Sequence, residues 1–158
     1  MAEFDQAISF VLGNEGGLSN DPFDAGGLTN FGISQHAHPT EDIKNLTRDR
    51  AIEIYRNSYW EMFPYDQIIS QRVATKLFDM VVNMGPMKAV RIIQLALGSI
   101  EAGPLVADGI LGSHTIESLN AADESKLMDE IKARLCKFYC ELGQPEFVLG
   151  WMRRAVKG

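Results

Sequence analysis

The stretch QRVATKLFDMVVNMGPMKAVRIIQLALGS, residues 71–99, decides the fold class. Val73, Leu77, Met80 and Met84 recur at the spacing of one helical face, and Gly85-Pro86 closes that stripe. Val90, Ile93 and Leu97 form the next stripe, which ends at Gly98. The same period extends outward. Upstream, Ile52, Tyr55 and Tyr59 form one stripe, and Phe4, Ala7, Ile8 and Val11 form another that Gly13 weakens. Downstream, a loop from Ala102-Gly103-Pro104 through Ala107-Asp108-Gly109 precedes Ser113, a candidate cap for a short helix over His114–Asn120. Leu127, Ile131, Leu135, Phe138 and Leu142 stripe a long helix that Gly143 and Pro145 stop, and a last short helix carries Phe147 and Trp151. The pattern predicts a mostly α protein with about seven helices and at most a small hairpin. A boundary, if the chain has one, falls near residues 98–106.

Composition bounds the function. The 158 residues are 46% hydrophobic and 23% charged, with a net charge of −6. That is enough for one compact core and is not the composition of a disordered or low-complexity chain. The acidic balance argues against nucleic acid as a partner. No apolar run approaches the roughly 20 residues that span a bilayer. The N-terminus carries Glu3 and Asp5 where a secretory signal has a basic region, and Gln6 and Ser9 interrupt its apolar residues. The expectation is synthesis and folding in a cytoplasm.

The chemistry is expected in residues 13–34, GNEGGLSNDPFDAGGLTNFGIS, whose Gly, Asn and Asp content demands turns or a short irregular hairpin. Glu15 follows Val11 by four and Ile8 by seven, so a first helix that persists would bring it out of the core-facing stripe. A carboxyl against apolar side chains is desolvated, holds its proton, and suits a general acid. Asp24, across the loop, would stay ionised and help activate a water, with the Thr29 hydroxyl orienting it. The paired glycines would let backbone approach a bulky ligand. The plainer alternative is that Glu15 caps or pairs locally and that Asp21 and Asp24 are turn residues.

These residues carry a resemblance. Glu15-Gly16-Gly17, Asn20-Asp21-Pro22, Asp24, Gly26-Gly27, Thr29-Asn30 and Gly32-Ile33 resemble the N-terminal signature of glycoside hydrolase family 108. That family comprises N-acetylmuramidases, including many phage and prophage endolysins, and some of its members carry the label secretion activator. Ala51-Ile52 with Tyr55, Tyr59 and Trp60, the Asp79, Asn83 and Gly85 pattern, and Gln94 through Gly98 are similar to its later segments. Asp108-Gly109, Gly112, Thr115 and Leu119-Asn120 resemble its peptidoglycan-binding-type segment, and Phe138-Tyr139 through Gly150-Trp151 its closing helices. The chain departs from the family after Gly17, where Leu18 stands in place of an aromatic. Phage lysozymes of another family keep Glu, Asp and Thr in this order with the same first gap, but their second gap is one residue longer than that between Asp24 and Thr29.

The resemblance implies a lysozyme-like helical domain with a small loop or β-hairpin lobe, a catalytic region over 1–98, and a peptidoglycan-binding-like appendage over 99–158. It implies hydrolysis of the β-1,4 bond between N-acetylmuramic acid and N-acetylglucosamine, with Glu15, Asp24 and Thr29 catalytic. Tyr55, Tyr59 and Asn83 are candidates for contact with sugar. The rival reading of the tyrosines is core packing. The polar pair Asp79 and Asn83 on an apolar helix needs partners, which sugar or backbone would supply. Two alternatives stand beside hydrolysis: a lytic transglycosylase on the same bond, and a non-catalytic wall-binding or secretion-activating module.

The partners implied are peptidoglycan glycan strands and a holin or other exporter, with the protein a monomer acting in the periplasm or outside the cell. Carboxyl chemistry of this kind calls for no cofactor, and the spacing of His36, His38, His114, Cys136 and Cys140 fits no ordinary zinc site, so no metal is expected. The two cysteines read as reduced packing residues, one turn apart. Residues 107–120 read as packing for the catalytic part, and Arg153, Arg154 and Lys157 as a short basic tail.

Overall fold

A computed structural model describes residues 1–14, 27–102, 106–143 and 145–158, with Asn14 and residues 145–147 described in backbone only. Among the described residues the chain forms seven α-helices and one two-stranded hairpin, the mostly α outcome that the periodicity predicts. Helix α1 is Phe4–Asn14, α2 Arg48–Tyr55, α3 Gln71–Met84 and α4 Pro86–Ser99. Helix α5 is Ser113–Ala121, α6 Glu124–Glu141 and α7 Pro145–Val156.

Helix α3 is the centre. Ser70 caps it, its hydroxyl accepting from the Val73 N–H at 3.1 Å. The sequence stripe understates its burial: Lys76, Phe78, Asp79 and Val81 are buried along with Val73, Leu77 and Met80. It packs against α1 on one side and α4 on another, α4 packs against α6, and α6 against α7. Gly85, at φ 83°, ends α3, and Pro86 begins α4, so one left-handed residue makes the corner.

An aromatic cluster fills the space between α3 and the N-terminal elements. Phe78 meets Trp60, Tyr65, Phe4 and Tyr55 edge-on, with ring centroids at 5.3, 5.8, 6.1 and 6.4 Å. Trp60 reaches it because α2 runs into a π-helical turn over Arg56–Trp60, closed by the Glu61 N–H on the Arg56 carbonyl at 2.9 Å. A wider turn lays residue i+5, rather than i+4, over residue i. Trp60 therefore enters the core above Tyr55, and Tyr59 is left half-buried, where a plain helical stripe predicts Tyr59 inside.

The hairpin pairs β1 (Thr29–Asn30) with β2 (Ile33–Ser34) across Phe31 and Gly32, both at positive φ. Two side chains pin it to the helices. Asn30 is buried and donates to the Ile43 carbonyl at 3.1 Å, and the Tyr55 hydroxyl donates to the Phe31 carbonyl at 2.9 Å.

Two local readings need correction. Ser113 does not cap α5: the helix begins at Ser113 itself, with Gly112 as its cap and no side-chain bond. The cysteines are free, but only Cys136 packs against the core, while Cys140, one turn further along α6, is exposed.

Lys76 carries a pH dependence. Its side chain is buried in α3, and its ammonium donates to the carbonyls of Arg154 and Lys157 at 2.9 and 2.8 Å, at the C-terminal end of α7. Burial outweighs the nearby Asp79 carboxylate and lowers its pKa from 10.5 to about 8. Between these two values the unfolded chain holds a proton that the native chain has released, so the lysine's contribution to stability rises with pH across that window. Urea denaturation from pH 7.5 upward (about 8 to 10.5 being the active range) should show wild type gaining stability relative to Lys76→Met; a flat difference would contradict the assignment.

Candidate functional site

A cleft of about 420 Å³ opens where α1, α3 and α7 end beside one another. Gly13 of α1 and Asn83 of α3 form one side. Gly150, Trp151, Arg153 and Arg154 of α7, with Lys157 just beyond, form the other. A larger groove of about 520 Å³ lies between the end of α4 and the start of α6, around Ser99, Lys126 and Asp129. The first cleft is the candidate site because α1 delivers the chain to it. Phe4, Ala7, Ile8 and Val11 are buried, as their spacing predicts, and the helix persists through Asn14, the residue before Glu15.

Glu15 and Asp24 lie outside the described residues. Thr29 is on β1, half-buried, with its hydroxyl donating to the Gly27 carbonyl at 3.3 Å. Tyr55 is 1% exposed. It packs the core and anchors the hairpin. Tyr59 is half-buried beside it, with ring centroids 5.6 Å apart. Asn83 is exposed in the cleft. Thus Asn83 is the candidate that the cleft includes, while Thr29, Tyr55 and Tyr59 belong to the hairpin side of the molecule.

Among the described residues, the last two helices supply partners for the Asp79 and Asn83 pair. Arg154 grips the Asp79 carboxylate through Nη2 at 2.8 Å and Nε at 3.1 Å, with side chains 14% and 3% exposed. The Tyr139 hydroxyl of α6 donates to Asn83 Oδ1 at 3.0 Å. Burial raises the Tyr139 pKa to about 12, so it remains a donor at any working pH. The same Tyr139 ring stacks on Trp151 at 5.4 Å. Arg154, read as part of a basic tail, is thus a structural ion, and the signal for it was Asp79: an acid on an apolar helix needs a cation.

The segment at 107–120 is built into the body. Buried Gln94 of α4 donates to Asp108 Oδ1 at 2.8 Å and accepts from the Gly109 N–H at 2.8 Å. Bonds from the Ile110 N–H and Gln94 lower the Asp108 pKa. Asn120 ties the end of α5 to Gln67 and Ile69, just ahead of α3.

Residues 8–85 match the family model described as Glycosyl hydrolase 108. That match spans 78 of the chain's 158 residues. Residues 88–156 match the model described as Predicted Peptidoglycan domain, so the two meet at the Gly85-Pro86 corner. The structure is similar to that of Brucella abortus SagA, with a TM-score of 0.79 and 27% identity over 96% of this chain and 88% of that one. No curated protein matches the chain. The protein is therefore mostly α and lysozyme-like in fold, and its two family-model matches support a peptidoglycan-acting glycosidase or binding role.

The buried ion pair makes a test of how the two matched segments are held together. Arg154→Met leaves the Asp79 carboxylate buried without its guanidinium and should cost about 3–5 kcal/mol in urea denaturation. Asp79→Leu added to it should recover a large part of that loss; equal destabilisation by the single and double variants would show that the charge pair is not what matters.

Proposed function

We propose that the chain is a peptidoglycan muramidase that hydrolyses the β-1,4 bond between N-acetylmuramic acid and N-acetylglucosamine. The observation that carries the reading is the course of α1: a family-matched helix whose core-facing stripe runs toward Glu15 and whose end, at Gly13, borders an open cleft. In this reading Glu15 protonates the glycosidic oxygen as positive charge develops on the sugar ring. Asp24 stabilises that charge or takes the proton of an attacking water, and Thr29 assists. With Asp24 as the base toward water the reaction would invert, a course that calls for carboxyls roughly 6.5–9.5 Å apart.

The proposed setting follows from the substrate. The protein is made in a cytoplasm and acts as a soluble endolysin in the periplasm or outside the cell. It reaches the wall through a holin or another exporter and works as a monomer without metal or cofactor. Its net charge of −6 gives no long-range attraction to an anionic wall, so recognition rests on short-range contacts.

Purified wild type should release reducing muropeptides from isolated sacculi. Glu15→Gln should lower that rate by about 10²–10⁴-fold with the fold retained by circular dichroism, Asp24→Asn should cost less, and Thr29→Ala less again. Products lighter by one water on mass spectrometry would make the enzyme a lytic transglycosylase. Wall binding without product would make it a binding module.

A further inference from the structure

Two helical glycines line the same cleft, Gly13 in the last turn of α1 and Gly150 in the interior of α7. Glycine weakens a helix interior, so its presence there calls for a reason. Crowding is not that reason: a Cβ added at either would meet no described atom within 4 Å. What the two glycines leave open is the cleft between them.

The wall beside Gly150 has the groups that a substituted sugar needs. Trp151 is half-exposed there, and Tyr139 stacks on its ring at an interplanar angle of 25°. Tyr139 is held in turn by Asn83, so the indole is fixed before any ligand arrives. Arg153 is exposed at the same wall, in a chain whose net charge is −6. The clamp of Arg154 on Asp79 fixes α7, the helix that carries both residues, against α3. An aromatic face suits the C–H face of a pyranose, and a guanidinium suits a carboxylate.

We infer that α7 is one wall of a glycan subsite, in which Trp151 lies against a sugar ring and Arg153 takes a carboxylate carried on the lactyl arm of N-acetylmuramic acid. That carboxylate is the lactyl group's own in a strand stripped of peptide, or one of the stem peptide's in a substituted strand. The inference rests on the muramidase reading for its substrate, and extends it by making the C-terminal segment part of the cleavage cleft rather than a separate wall anchor.

The test measures binding in the Glu15→Gln background, so that turnover does not enter. Three probes serve: a peptide-bearing muropeptide tetrasaccharide, the same glycan freed of peptide, and a neutral N-acetylglucosamine tetramer. Calorimetry gives affinity, and tryptophan fluorescence reports on Trp151, with Trp151→Phe as the control. Arg153→Gln, at an exposed position, should weaken the carboxylate-bearing glycans about tenfold and leave the neutral tetramer unchanged. Loss on the peptide-free glycan alone assigns the contact to the lactyl carboxylate, loss on the peptide-bearing form alone assigns it to the stem peptide, and loss on both shows that Arg153 takes whichever carboxylate the strand carries. Gly150→Leu should fill the cleft and weaken all three probes while thermal stability is kept or raised, a combination that a merely structural role would not produce. Glycan binding that ignores Arg153 and Gly150 and leaves Trp151 emission unmoved would overturn the inference alone. Failure to bind any glycan would overturn the muramidase reading and the inference together.

Discussion

The attachment of α7 to α3 is the constraint on which the arrangement turns. Asp79 and Lys76 are one helical turn apart in the most buried helix of the protein, and each reaches the same stretch at the end of α7. One grips a guanidinium and the other donates to carbonyls at and just beyond the end of the helix. Neither group would tolerate burial alone, because a charge taken out of water needs both an opposite charge and satisfied hydrogen bonds. Together they fix the position and the axial register of α7. The helix order α1, α3, α4, α6, α7 is thereby closed back on its centre, and the first and last thirds of the chain share one seam.

The candidate site lies on that seam. The stretch that matches a glycosyl hydrolase supplies Gly13 and Asn83, and the stretch that matches a peptidoglycan domain supplies Trp151 and Arg153. A cleft made this way is as rigid as the contact between its walls. Tyr139 adds to the rigidity, since one side chain bonds Asn83 on the near wall and stacks on Trp151 on the far wall. Interlocking of this kind lets an acidic protein present local cations at a chosen place, with Arg154 neutralised by Asp79 and Arg153 left at the surface.

The hairpin shows the opposite economy. Its strands are two residues each, too short to be stable alone. Asn30 and Tyr55 hold it to the helices, and Tyr55 is held by the aromatic cluster around Phe78. Thr29, at the start of the first strand, is therefore positioned by the core through a chain of contacts that begins at the π turn.

Local pattern determined much of this protein. The helical periods, the Gly85-Pro86 corner, the α1 stripe and the helix stop at Gly143 are consequences of spacing and backbone chemistry within a few residues, and a sequence displays those directly. The family signature was legible for the same reason, as runs of neighbouring residues. Tertiary structure alone decided the rest. It widened the turn after Tyr55 so that Trp60 rather than Tyr59 entered the core, and it set the Tyr55 hydroxyl against the Phe31 carbonyl, so that a residue of the helical stripe anchors the hairpin. It also paired Asp79 with Arg154 across 75 residues, making a supposed tail into a wall of the cleft. A sequence can show that a buried acid requires a cation, but which of its basic residues arrives depends on how helices far apart in the chain pack, and no local spacing encodes that.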